Sequence, residues 1–157
     1  MKTTLLVVGK TTDRHFQTGI DDYTSRILHY MPFTLEVIPE LKATKSLSEK
    51  EQKEREGKLI LAALQPGDYV VLLDERGREH RSMEFAQWMQ KKMLAGVKRL
   101  VFVVGGPYGF SPDVYARCNE QISLSRMTFS HQMIRLIFVE QIYRAMSILA
   151  GEAYHHE

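Results

Sequence analysis

Three stretches in the last third of the chain hold residues whose types and spacing suit ligand chemistry. Val101-Phe-Val-Val-Gly-Gly-Pro-Tyr-Gly-Phe110 is a β-like run that ends in glycines, and Ser123-Leu-Ser-Arg-Met-Thr-Phe-Ser130 follows a second apolar segment. A helical stretch from His131 to Gly151 then leads into Glu-Ala-Tyr-His-His. Strand ends that open into tight loops and then helices aim backbone N–H groups at one small space, which suits a nucleotide-like ligand. Neither common phosphate motif accounts for it. Gly9-Lys10-Thr11 resembles the end of a P-loop, but Thr4 stands where that pattern requires glycine. Gly105-Gly106-x-x-Gly109 lacks the G-x-G-x-x-G spacing and places Pro107 where a free N–H is needed, which argues against an NAD site.

The elements that must position these loops follow from hydrophobic period and end signals. Thr4 to Gly9 reads as a buried strand, and Phe16, Ile20, Tyr23 and Ile27 recur at helical spacing, predicting a helix from about Asp13 to about His29. Phe33 to Ile38 is a second strand closed by Pro39, and Glu40 to Ser46 is a polar, mobile connection. Ser48 with Glu51 forms a capping box for a helix that reaches about Leu64, where Pro66-Gly67 stops it. Gly57 inside that helix costs about 1 kcal/mol relative to Ala, so close packing is expected there. Tyr69 to Leu73 is strand three, followed by a charged turn, Asp74 to Arg78, whose default is a solvated, hairpin-like loop. Ser82 is expected to cap a helix carrying Phe85, Trp88, Met89 and Met93 and ending at Gly96. Arg99 to Val104 is strand four, Ser111-Pro112 opens a short helix, and Gln121 to Leu124 is strand five. Apolar strands separated by helices predict an α/β fold with a mostly parallel sheet of five to six strands and helices on both faces. The helix from His131 is apolar around more than one stripe, which predicts a homodimer whose interface includes it.

Composition bounds the function classes. A chain of 157 residues, 44% hydrophobic and 25% charged, reads as a single globular domain over 1–157. The apolar start is too short for a signal segment and no run of 18 apolar residues occurs, so a cytoplasmic protein without membrane partners is expected. Cys118 has no partner for a disulfide or a C-x-x-C metal site, and no metal is expected. Net charge is only +2, so a nucleic-acid partner would be recognised by local basic surface and shape. Lys91, Lys92, Lys98 and Arg99 form one basic patch, although a surface helix end commonly looks like this.

Leu-Leu-Asp-Glu-Arg-Gly at 72–77, Gly-Gly-Pro-Tyr-Gly at 105–109, Ser-Leu-Ser-Arg-Met-Thr-Phe at 123–129, His-Gln-Met-Ile-Arg at 131–135, Glu-Gln-Ile-Tyr-Arg-Ala at 140–145 and the Tyr-His terminus closely resemble the RlmH family. These are small SPOUT-superfamily methyltransferases acting on N3 of a pseudouridine in 23S rRNA, and the resemblance spans the whole chain. It implies a C-terminal trefoil knot, an exception to the rule against threaded chains, with S-adenosylmethionine bound in it. It also implies cofactor contacts at Leu73, Gly105, Leu124, Ser125, Arg126, Met127, Thr128 and Phe129. The chemistry of those types is compatible: Leu73, Leu124, Met127 and Phe129 can wall an adenine slot, and Gly105 lets main chain approach closely.

Methyl transfer asks for alignment and exclusion of water more than for covalent catalysis. A ring N3 carries a weakly acidic proton, so a base or a cation that stabilises the anion would help. Tyr154 can stack on or hydrogen-bond with the substrate base, His155 can shuttle a proton, and Arg144 can offset negative charge. Arg144 and His155 are thus the catalytic candidates, and both join Tyr154 as substrate-binding candidates. His156 departs from the Arg or Lys that family members usually carry there. His131 is expected to serve the first helical turn, and Glu140 with Arg144 at i,i+4 to form an ion pair. The competing reading is a non-catalytic nucleotide- or RNA-binding α/β protein.

Overall fold

A computed structural model describes residues 1–157. In chain order it runs β1 (Lys2–Val8), α1 (Arg14–Ile27), β2 (Phe33–Ile38), α2 (Glu49–Ala63), β3 (Tyr69–Glu79), α3 (Ser82–Leu94), β4 (Arg99–Val104), α4 (Pro112–Arg117), β5 (Glu120–Ser123) and α5 (His131–Leu149). Five strands form one sheet in the order β2-β1-β4-β3-β5, and every neighbouring pair is parallel.

At the centre of the sheet, Leu5–Val8, Val70–Leu73 and Leu100–Val104 are continuous apolar runs because both faces there are covered. On one face Leu5, Val7, Val71, Leu73, Phe102 and Val104 pack with Ile20 and Ile27 of α1, Phe85 and Met89 of α3, and Phe138, Val139 and Ile142 of α5. On the other face the alternate residues Leu6, Val70, Leu72, Val101 and Val103 meet Ile60 of α2, Val114 of α4 and Phe110. The helices start where their caps dictate. Asp13, Ser48, Ser111 and Ser130 each accept backbone N–H groups of the following turn. Gly57 is explained by contact, since a Cβ there would stand 2.3 Å from Ser111 Oγ.

Several sequence expectations are corrected. Ser82 is the first helical residue of α3 and not its cap: the Arg81 N–H donates to Glu84 Oε1 at 2.8 Å, so the first turn is closed by the glutamate. The charged segment after Leu73 is no free hairpin. Leu73 and Arg78 both pair with Ile122, so residues 74 to 77 bulge outward and β3 resumes along β5 as far as Glu79. Gly77 permits this approach, because a Cβ would lie 2.6 Å from main-chain atoms of Gln121 and Ile122. The connection at 40–46 contains a 3-10 turn at Thr44–Ser46. α5 lies on the sheet between α1 and α3 with Phe138, Val139, Ile142, Ala145 and Met146 buried, while Met133 is exposed and Ile134, Ile137 and Ile148 are half-buried. No helix is long and apolar enough to cross a membrane.

Candidate functional site

The bulge at 74–77 within β3 and the C-terminal ends of β4 and β5 converge, and this bulge together with the loops leaving β4 and β5 encloses one cavity of about 430 Å³. That volume suits a small ligand. The loop after β4 is shaped by Gly106, whose N–H donates to Glu56 Oε1 at 2.8 Å, and by Gly109 at φ +80°, whose N–H donates to the Gly106 carbonyl at 3.2 Å. The loop after β5 is held by its own serines. Ser123 Oγ donates to the Ser125 carbonyl at 2.9 Å, the Met127 N–H donates to Ser125 Oγ at 2.9 Å, and the Met133 N–H donates to Ser130 Oγ at 3.1 Å.

A buried arginine ties this loop to the first strand. Arg135, 1% exposed, donates from Nε to the His131 carbonyl (3.0 Å) and from its terminal nitrogens to the carbonyls of Val8 and Gly9 (2.8 Å each) and to Thr11 Oγ1 (3.1 Å). Gln132 adds a second tie by accepting the Thr12 N–H at 2.8 Å. The first turn of α5, and with it the end of the 124–130 loop, is therefore fixed against the sheet.

Of the sequence-predicted cofactor contacts, Leu73, Gly105, Leu124, Ser125, Met127, Thr128 and Phe129 all line the cavity. Arg126 does not. Its side chain is 88% exposed and donates to Glu79 Oε1 at 2.8 Å, on the outer edge of β3. His131, expected to serve only the helix turn, is also in the lining. The sequence reading missed a polar wall formed by Asp74, Glu75, Arg76 and Tyr115. The Tyr115 hydroxyl donates to Asp74 Oδ2, and the Arg76 N–H donates to Asp74 Oδ1 at 2.9 Å. Burial first, and then the Asp74 carboxylate, push the Tyr115 phenol above its ordinary range, so it stays a donor. Asp74 and Glu75 were hidden because a charged run at a strand end reads as solvent-facing; only the bulge turns it toward the cavity.

Arg144, Tyr154 and His155 come together elsewhere. Glu140 accepts from Arg144 and from the Tyr154 hydroxyl (2.9 Å), and the Tyr154 hydroxyl lies 3.1 Å from that of Tyr23. The Tyr154 ring meets Tyr143 at 4.7 Å between centroids, beneath the Arg144 guanidinium at 4.8 Å. Arg144 also lies 3.0 Å from His155 Nδ1, and Tyr30 donates to Glu152 at 2.6 Å. The tail is thus docked on α1 and α5. Arg144 stands ten helical positions after Ile134 at the cavity, about 15 Å along the axis, so within one chain the tail does not reach the cavity. No group of three or more His, Cys, Asp or Glu residues converges as a metal site would require.

The description "Predicted SPOUT methyltransferase" belongs to a family model that matches residues 1–155. This chain belongs to the SPOUT methyltransferase family. Relatives named ribosomal RNA large subunit methyltransferase H align over all 157 residues and the full length of both chains: 67% identical in Bacteroides thetaiotaomicron, 66% in Bacteroides fragilis and 54% in Flavobacterium psychrophilum. Among solved structures, a probable methylase family protein from Haemophilus influenzae Rd KW20 aligns with a TM-score of 0.49 and 13% identity, over 95% of this chain and 66% of that one. SPOUT methyltransferases take their methyl group from S-adenosylmethionine. The cavity's residues fit that donor: an apolar slot from Leu73, Leu124, Phe129 and Ile134, open main chain at Gly105, and the carboxylates of Asp74 and Glu75 opposite a cationic ligand.

Proposed function

We propose that this chain methylates N3 of a pseudouridine in 23S ribosomal RNA, using S-adenosylmethionine held in the cavity between the bulge of β3 and the loops after β4 and β5. The observation that carries the proposal is the convergence of those three segments on one half-apolar cavity of about 430 Å³. The names of the full-length relatives support the substrate class. Leu73, Gly105, Leu124, Ser125, Met127, Thr128 and Phe129 hold the cofactor. Arg126 contributes through its chain position, its side chain being turned to Glu79.

The cofactor supplies an electrophilic methyl on a sulfonium. Bound there, that methyl would be placed for transfer to ring N3, with the sulfur as leaving group and the N3 proton passing to water. The chain's part is to align the ring and to stabilise its anion. Arginine has no acceptor, so His155 Nδ1 accepts from Arg144 and the ring proton sits on Nε2. That Nε2 is buried and has no partner within the chain, so it can meet a substrate only when the tail shifts. Once the tail shifts on RNA, His155 donates from that nitrogen to the substrate, and Arg144 adds positive charge beside it.

Because the tail sits about 15 Å along α5 from the cavity, the working site needs two copies, one turned end for end so that its tail covers the cavity of the other. The exposed Met133 and half-buried Ile137 and Ile148 give α5 apolar surface for that contact. Removing residues 154–157 is expected to leave S-adenosylmethionine affinity unchanged in calorimetry and to abolish methylation of 23S rRNA, read by nucleoside mass spectrometry. Retained methylation would remove the tail from the mechanism.

A further inference from the structure

Behind the cavity, on the opposite face of the sheet from α5, two consecutive residues of α2 grip the two ends of the loop at 105–111. Glu56 is 5% exposed, forms no ion pair, and its hydrogen-bond partner is the Gly106 N–H at 2.8 Å. Its carboxylate fills the space a side chain at Gly106 would need, with both oxygens within 2.4 Å of where a Cβ would stand. Gly57, the next residue, leaves room for Ser111 Oγ at the other end of the same loop, where Ser111 caps α4.

A carboxylate buried against a single N–H is a costly way to pack a helix. Burial pushes its pKa up, with the Gly106 N–H opposing only in part. Apolar residues would pack α2 as well, but none would hold a backbone N–H. A trans peptide points its carbonyl opposite to its N–H, so the hold on Gly106 turns the Gly105 carbonyl away from Glu56, to the side where Gly105 lines the cavity.

We propose that Glu56 is a positioning residue for the methyl donor: it fixes the Gly105–Gly106 peptide with the Gly105 carbonyl toward the cavity, and Gly57 lets α2 approach closely enough for it to do so. This rests on the assignment of the cavity to S-adenosylmethionine. Glu56 touches neither cofactor nor RNA, and acts only through the loop.

The experiment titrates S-adenosylmethionine calorimetrically into the full-length protein and its Glu56→Gln, Glu56→Ala and Gly106→Ala variants, and measures KM for cofactor and RNA separately. Gln keeps an oxygen acceptor of the same reach, so Glu56→Gln should bind within about threefold of the parent, whereas Glu56→Ala should bind about ten- to a hundredfold more weakly. Gly106→Ala should weaken binding similarly by displacing the carboxylate, and the RNA KM should stay unchanged in all three. Combining Glu56→Ala with Gly106→Ala should be no worse than Glu56→Ala alone, because the two changes remove one contact. If Glu56→Ala does not fold, Glu56→Gln and Gly106→Ala carry the comparison. Parent-like binding by Gly106→Ala or by folded Glu56→Ala overturns the positioning role and leaves the cavity assignment standing. Absence of binding by the parent protein overturns the assignment and the role together.

Discussion

At Arg135 a full positive charge is buried against oxygen dipoles alone, and the choice is intelligible from the acceptors it serves. The carbonyls of Val8 and Gly9 end β1 beyond the reach of a neighbouring strand's N–H groups, and one planar fork satisfies them together with the His131 carbonyl. Burial lowers its pKa, with Glu40 opposing. Glu56 and Glu120 show the two opposite outcomes for a carboxyl. Burial holds Glu56 above its ordinary 4.5. Burial acts upward on Glu120 also, but hydrogen bonds from Tyr69, Lys92 and Trp88 outweigh it and hold the group low. The signs of their contributions differ accordingly. A raised carboxyl contributes stability that is full below its unfolded value and lost as pH rises through its folded one; a lowered carboxyl contributes stability present above its unfolded value and lost as pH falls through its folded one. Replacing Glu56 by Gln should therefore remove a component of stability that declines from about pH 4.5 upward, so the variant gains on the parent as pH rises toward neutrality. Urea denaturation at a series of pH values reads this, and a parent-to-variant gap independent of pH would contradict it. That Leu73, Gly105, Leu124, Ser125, Met127, Thr128 and Phe129 share one cavity was legible in the sequence through their motifs, whereas Arg126 turns outward to Glu79. Glu56, Asp74 and Tyr115 were not legible, since each earns its place by a contact more than 30 positions away.

At the scale of elements, β4 was legible to the residue because a strand covered on both faces is a nearly continuous apolar run, and β2, an edge strand with Thr34 and Val37 exposed, was legible from its β-forming residues and the Pro39 that closes it. The second half of β3 was illegible for the converse reason. Residues 74 to 79 are charged except for Gly77, and what continues the strand is main-chain pairing of Arg78 and Glu79 with β5, to which side-chain pattern is blind. Gly77 is where that pairing is tightest, and backbone on the facing side leaves nowhere for a methyl group to go. Gly77→Ala should destabilise the protein by about 1–3 kcal/mol in urea titrations, and should weaken S-adenosylmethionine binding because Asp74, Glu75 and Arg76 are carried by the same bulge. A variant with parent stability and parent affinity would show that the bulge does not shape the cavity. The cap of α3 illustrates a smaller illegibility: Ser82 has the right type, yet Glu84 three residues after Arg81 closes the turn one position earlier.

For the whole molecule, the sheet delivers three segments to one edge while α5 carries the tail away from them. The docked tail, with Tyr154 held by Glu140 and Tyr23, is no frayed terminus. Burial, Tyr23 and Glu140 all raise the Tyr154 phenol, so it remains protonated and keeps its hydrogen bonds through the neutral range. A head-to-tail pairing of two copies follows if cavity and tail act together. Light scattering should then give about twice the chain mass of 18.2 kDa at micromolar protein, and a mass of one chain would contradict the shared site. The proposal as a whole stands on the cavity, and Gly105 is its most sensitive point, since a Cβ there would already meet the Phe110 ring at 3.0 Å. The direct measurement is transfer of a labelled methyl group from S-adenosylmethionine to large ribosomal subunits from cells lacking this enzyme, comparing the parent with a folded Gly105→Arg variant. The parent should place the label on a pseudouridine of 23S rRNA and the variant should place none. Equal transfer by the variant, or no transfer by the parent, would contradict the assignment.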